Sequence, residues 1–251
     1  SVALIVLGLA GWLYSYSASH VTIDEVKVML AEEASHGGGH GQEADAHGAA
    51  EETNPEETAA DSHVSNGHEN AETHDDEHAE HVMHQIHNRP YSALYIAAFF
   101  FFMIALGALA FYAIQYASQA GWSPVLYRVM EGITYYVLPG GLVVLAIALW
   151  AGDHIFIWMD PEVVAHDELI QNKSSWLNKT WFAIRGLIFI AGWSAYRYFS
   201  RKFSIAQDNA DINDNSNFKK NFRISAAFLV FYIYTESMMS WDWIMSVDPH
   251  W

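Results

Sequence analysis

Apolar positions along the chain gather into five long runs, at 2–18, 92–117, 124–150, 177–199 and 222–246. They do not alternate as in strands, nor do they form the single stripe of a soluble surface helix. A bilayer core of about 30 Å is crossed by about 20 helical residues, and the runs reach or nearly reach that length. The pattern predicts an all-α fold, a polytopic transmembrane helix bundle with five spans.

In segments, helix 1 occupies 1–18, a loop 19–89, and helices 2 and 3 lie within 90–150. An outer connection with a short helix fills 151–177. Helix 4 follows at 178–199, an inner loop at 200–221, helix 5 at 222–247 and an outer end at 248–251. The first run begins at Ser1 with no basic n-region and is apolar from residue two, unlike a secretory signal. The chain is therefore expected to be part of a longer protein.

Local punctuation supports these boundaries. Ser123-Pro124 and Asp160-Pro161-Glu162 each pair an N-cap side chain with a proline at the first helical position. Pro139-Gly140-Gly141 falls in the middle of the third run. A break there is tolerated in a membrane helix where it packs against protein or lines a cavity.

Charge changes the picture of the first loop. The protein has 251 residues and a formal net charge of −17. Between His20 and His87 stand 17 acidic residues and one base, Lys27, which leaves the rest of the chain nearly neutral. The stretch from His36 to about Glu72 is rich in Gly, Ala, Glu and His and has too little apolar surface to fold alone, so the acidic His-rich loop is expected to be disordered. From His74 the spacing tightens to His74, His78, His81, His84 and His87, which would align imidazoles on one helical face. Such spacing can hold Zn²⁺, Ni²⁺ or Cu²⁺, or it can be a solvated spacer.

Phosphate binding needs clustered Lys and Arg, so a nucleic-acid partner is not expected. With no cysteine, the chain cannot form disulfides or ligate an iron–sulfur cluster through thiolates. No run interior contains a histidine, which leaves no bis-His haem site either.

Lys and Arg in the short connections set the expected orientation. Residues 196–223 carry Arg197, Arg201, Lys202, Lys219, Lys220 and Arg223, whereas 151–176 carry Lys173 alone. The first connection is then cytoplasmic, and the second lies outside with the acidic loop.

Ionisable groups inside spans are costly and mark ion pairs or function. The informative ones are Glu131, Arg185, Glu236 and Asp242. Depth along the helices permits an Arg185–Glu236 pair across spans four and five, read either as a structural ion pair or as part of a proton relay. Glu131 has Arg128 as its local partner and suits proton uptake from the inner side. Asp242, between Trp241 and Trp243, is expected in the interfacial aromatic belt.

At the outer boundary His154 lies beside Asp153, and His250 beside Asp248. A His–Asp pair can take protons near neutral pH, which suits the quinone side of a quinol-oxidising enzyme. An interfacial histidine bonded to backbone is the plainer reading.

Several motifs together resemble one family. They are Arg89-Pro-Tyr-Ser-Ala-Leu-Tyr95, Val129-Met-Glu-Gly-Ile-Thr134 with Leu138-Pro-Gly-Gly141, Trp158-Met-Asp-Pro-Glu162 and its continuation to Glu168, and Thr235-Glu-Ser-Met-Met-Ser-Trp-Asp242 continuing to Trp251. The chain resembles the NrfD/PsrC-like membrane subunits of alternative complex III, the bacterial quinol:cytochrome c oxidoreductase. The resemblance implies a multi-pass subunit of the inner membrane with its acidic loop in the periplasm. Its implied partners are a sister NrfD-like subunit, an iron–sulfur subunit, haem c subunits and a terminal oxidase. It also implies that haem c and iron–sulfur clusters sit on those partners, with no cofactor on this chain and menaquinol or another quinol as the electron source. By matching motif, Glu131, Glu236, Asp242, Asp248 and His250 become candidates for a proton path or quinone-side surface, with the sister subunit the stronger quinol site.

Overall fold

A computed structural model of the chain describes residues 2–35, 67–211 and 213–250. The side chains of 2–5, 33–35, 67–77 and 81 lie outside that description. Every regular element among the described residues is an α-helix or a 3-10 turn, so the protein is all-α. It divides into two compact units, Ser1–Pro90 and Tyr91–Trp251.

The first unit contains α1 (Val2–Ala18), α2 (Ile23–Ser35) and the start of α3 (Gly67–Ala117). Thr22 starts α2 with half of a capping box: its N–H donates to Glu25 Oε2 at 2.9 Å and its hydroxyl to the same oxygen at 3.2 Å. Trp12 Nε1 donates to the carbonyl of Pro90 at 3.1 Å. The rings of Trp12, Tyr16, His20 and His87 follow one another at 5.6, 4.8 and 5.2 Å between centroids. The acidic loop, expected without structure, is thus helical at both ends, because capping and a few buried apolar side chains such as Val26 stabilise those turns. Residues 36–66 lie outside the described residues.

The second unit takes α3 from Tyr91 onward. A helical run of four pieces follows: a 3-10 turn at Ser123–Leu126, α4 (Tyr127–Ile133), a 3-10 turn at Thr134–Tyr136 and α5 (Val137–Trp150). Ser123 does not cap this run. It is buried, and its hydroxyl donates to the Ala120 carbonyl at 2.7 Å, because the chain enters through a 3-10 turn that Trp122 precedes. The second 3-10 turn has a cause in Pro139, which has no N–H for the carbonyl of Tyr135 and whose ring crowds that carbonyl. Gly140 and Gly141 follow, and Gly141 allows close packing: a Cβ there would stand 3.0 Å from Ile190 Cγ1 and 3.2 Å from Phe102 Cε2. The break in the third run is therefore packed against protein.

Short helices α6 (Gly152–Ile155), α7 (Pro161–His166) and α8 (Glu168–Asn172) fill the next connection. Asp160 caps α7 as its sequence predicts, accepting from Glu162 N at 2.9 Å. Asp167 caps α8 through Leu169 N and Ile170 N. Two long helices close the unit, α9 (Lys179–Asp208) and α10 (Ser216–Trp243), packed on each other and, through α9, on α5. Both extend into the expected 200–221 loop, so Arg201, Lys202, Lys219 and Lys220 stand on helices.

The core is aromatic. Phe102 of α3 lies 6.0 Å from Trp193 of α9 and 5.9 Å from Trp243 of α10, ring centre to ring centre. Tyr95 anchors the layer by donating to the Trp243 carbonyl at 2.8 Å. Two stretches, His78–Ala117 and Ser123–Trp150, are long and apolar enough to cross a membrane. The outward faces are also apolar: Phe100, Phe101, Ile188, Val230 and Ile233 are all more than half exposed.

Candidate functional site

Two polar clusters interrupt the apolar interior of the second unit. Arg201 and Arg185, one in each cluster, are 16 residues apart on α9, about 24 Å along the helix.

The first cluster centres on Glu131 of α4, only 2% exposed. Its Oε1 accepts from the Tyr112 hydroxyl of α3 at 3.1 Å, and its Oε2 from Arg128 Nη1 at 2.5 Å. Arg201 Nη1 stands 3.9 Å from Oε2. Arg128 also binds Asp208, and this outer pair is exposed. A chain of ion pairs thus runs from the exposed Asp208 to a buried carboxylate. Beyond Tyr112, Ser200 Oγ lies 3.3 Å from the Tyr112 hydroxyl and 2.6 Å from Asn221 Oδ1, while Asn221 Nδ2 donates to the Ser200 carbonyl at 3.2 Å. Ser200 has a single hydroxyl proton to place on either acceptor, so the proton order of the chain can reverse. Tyr196 and Ser225 extend the polar layer with a hydroxyl pair at 2.7 Å.

The second cluster joins Arg185 to Asp242, which is fully buried. Arg185 Nε donates to Oδ2 at 2.6 Å and Nη2 to Oδ1 at 2.9 Å, a bidentate pair. Trp176 completes it from the preceding connection: its Nε1 donates to Oδ1 at 2.9 Å, its carbonyl accepts from Nη2 at 3.1 Å, and its ring lies 4.2 Å from the guanidinium carbon. Ser246 binds the Asp242 carbonyl.

This arrangement bears on two expectations. Asp242, expected near the surface, is fully buried, because the 151–177 connection folds Trp176 over it. Arg185 pairs with Asp242 and not with Glu236. Six residues on, side chains leave α10 about 120° apart, so the two acids cannot share one partner on α9. Glu236 is half-buried and makes no hydrogen bond or ion pair among the described residues. Its neighbour Thr235 accepts from Trp193 Nε1 at 2.9 Å.

At the end of the molecule bearing Trp176, His250 is held between two carboxylates. Its Nε2 lies 2.6 Å from Asp167 Oδ2 and its Nδ1 2.8 Å from Asp248 Oδ1. These acids hold the imidazole above its ordinary pKa, and it holds both carboxyls below theirs. Both ring nitrogens are engaged by carboxylates. Asp153 is held by Lys179 at 2.6 Å, and His154 stacks on Tyr91 at 4.3 Å. Asp248 and His250 thus share one clamp, while His154 packs on Tyr91.

Of the histidine series, His78, His84 and His87 stand on α3 as the spacing predicts, while the side chains of His74 and His81 lie outside the described residues. No group of three or more metal-ligating side chains occurs among the described residues.

The sequence pattern pointed to Glu131 and Arg128 in the first cluster but missed Asp208, Tyr112, Ser200, Asn221, Tyr196 and Ser225, and it read Arg201 only as an orientation signal. Tyrosines and serines are common in membrane helices, and only their alignment across α3, α9 and α10 sets these apart. Compared with known proteins, the chain matches no family model and no curated sequence.

Proposed function

We propose that this chain is a membrane-embedded subunit of a respiratory quinol:cytochrome c or oxidase-linked oxidoreductase, and that it supplies a proton path through the complex. In this reading the five helical runs cross a bacterial inner membrane and the acidic loop faces the periplasm. Quinol oxidation, haem c and the iron–sulfur clusters belong to partner subunits.

One observation carries the proposal: a buried carboxylate, Glu131, linked outward through Arg128 to exposed Asp208 and inward through Tyr112 to Ser200 and Asn221. Desolvating a carboxylate in this way is costly unless it is paired or functional. A neutral hydroxyl chain behind it is suited to carrying protons. The apolar outer faces of α3, α9 and α10 support membrane residence, and the motifs around Glu131 and Thr235 support the family.

The test is Glu131→Gln in the assembled complex, reconstituted in vesicles, with proton movement measured per electron transferred. Proton movement is expected to fall while assembly and electron transfer persist. Unchanged proton movement would refute the path.

A second reading, a scaffold that docks partners without direct chemistry, is favoured by the Arg185–Asp242–Trp176 cluster. Its two charges neutralise each other in a bidentate pair, as a structural pair requires. Assembly that survives loss of this pair would count against the scaffold reading.

A further inference from the structure

On the outer face of the α9–α10 pair runs a groove of about 460 Å³. Its walls include Gly192, Phe199, Phe203, Ile224, Phe228 and Phe231. Gly192 lets the ring of Phe231 lie close against α9, since a Cβ there would collide with that ring. Stacking of Phe228 on Tyr196, 3.9 Å apart and 7° from parallel, makes its floor.

The groove is not uniformly apolar along its length. Lys220 lies one turn before Ile224 on the same stripe of α10, and its Nζ stands 6.0 Å from the ring centre of Phe203. Arg223 precedes Ala227, another wall residue, by one turn, and Lys202 lies three residues after Phe199 on α9. Lys202, Lys220 and Arg223 are exposed, and neither Lys202 nor Arg223 makes a hydrogen bond or ion pair among the described residues. The groove thus ends at a cluster of cations with donors to spare.

We propose that this groove binds one anionic phospholipid, with an acyl chain along the aromatic walls and the phosphate held by Lys220, Arg223 and Lys202. An aromatic trough suits an acyl tail. Basic residues at the end of a groove between membrane helices select an anionic headgroup over a zwitterionic one. A partner's helix would instead need an acidic terminus at that position. The inference rests on the membrane residence proposed above and names a ligand for a surface that meets the Glu131 cluster at Tyr196.

Membrane residence is checked first, by alkaline carbonate extraction of the full chain. Release into the soluble fraction would overturn both readings. The retained chain is then purified in detergent, stripped of lipid and incubated with phosphatidylglycerol or phosphatidylcholine of equal acyl length, and bound lipid is counted by native mass spectrometry. One phosphatidylglycerol is expected to bind in preference to phosphatidylcholine. Lys220→Gln with Arg223→Gln is expected to weaken it about fivefold for each basic residue removed, and Lys220→Arg with Arg223→Lys to keep it. Ala227→Trp, which fills the groove from an exposed position, should exclude both lipids. Equal binding of the two lipids, or phosphatidylglycerol binding undiminished by the Gln pair or by Ala227→Trp, would overturn the lipid site and leave the proton path untouched. So would a partner helix found in the groove of the purified complex.

Discussion

Arg185 and Asp242 meet across α9 and α10 in a bidentate ion pair, at 2.6 and 2.9 Å, with Trp176 closing both its face and its edge. The pair ties the two longest helices of the second unit to the connection that precedes them. Six residues earlier on α10, Glu236 is left outside this arrangement.

Removing one member of this pair strands the other in the interior. Asp242→Asn or Arg185→Met is expected to cost about 3–5 kcal/mol of stability, read as a lower unfolding midpoint in detergent. The double variant Arg185→Met with Asp242→Leu should cost less than either single change, since no unpaired charge remains. Glu236→Gln, which breaks no bond, should leave the midpoint within about 0.5 kcal/mol of the parent.

The hydroxyl chain behind Glu131 can be cut while the carboxylate itself is kept. Tyr112→Phe removes the only hydroxyl that links Glu131 to Ser200 among the bonds described. It should cost about 1–3 kcal/mol of stability and lower proton movement in vesicles as strongly as Glu131→Gln does. Normal proton movement in Tyr112→Phe would show that protons reach Glu131 by another route.

Close helix packing depends on one glycine and not on another. Gly141→Leu must displace Ile190 or Phe102 and is expected to destabilise by about 1–3 kcal/mol. Gly107→Leu, where nothing lies within 4 Å of an added Cβ, should be neutral by the same thermal assay.

The His250 clamp has a pH window set by its three groups. Raised above its ordinary 6.5, His250 contributes stability that is fully present below that value and is lost as pH rises through its folded pKa. Asp167 and Asp248, lowered from 3.8, contribute stability present above that value and lost as pH falls through their folded pKa values. The clamp is therefore strongest between the carboxylate range and the raised histidine pKa, and hydrogen exchange near Asp167 should be slowest there. Asp167→Asn keeps an oxygen for the α8 cap while removing a charge from His250, so NMR titration should show the imidazole pKa falling with α8 intact. Asp167→Ala should lose the cap as well, about 0.5–2 kcal/mol.

What the sequence determined by itself is local. Apolar runs longer than a soluble helix needs define α1, the apolar half of α3, and the stretch from Ser123 to Trp150. Asp160-Pro161 marks the start of α7, and the Pro139 break appears as a 3-10 turn, because capping, proline geometry and helical periodicity act within a few residues. The tertiary structure alone decided which polar groups meet. Asp242 is buried by Trp176, 66 residues away in sequence. Glu131 gains Tyr112, which in turn meets Ser200, 88 residues further on. Such partners depend on the rotation of each helix about its axis, and that rotation is set by packing between Gly141, Ile190, Phe102 and Trp243, which no local pattern contains.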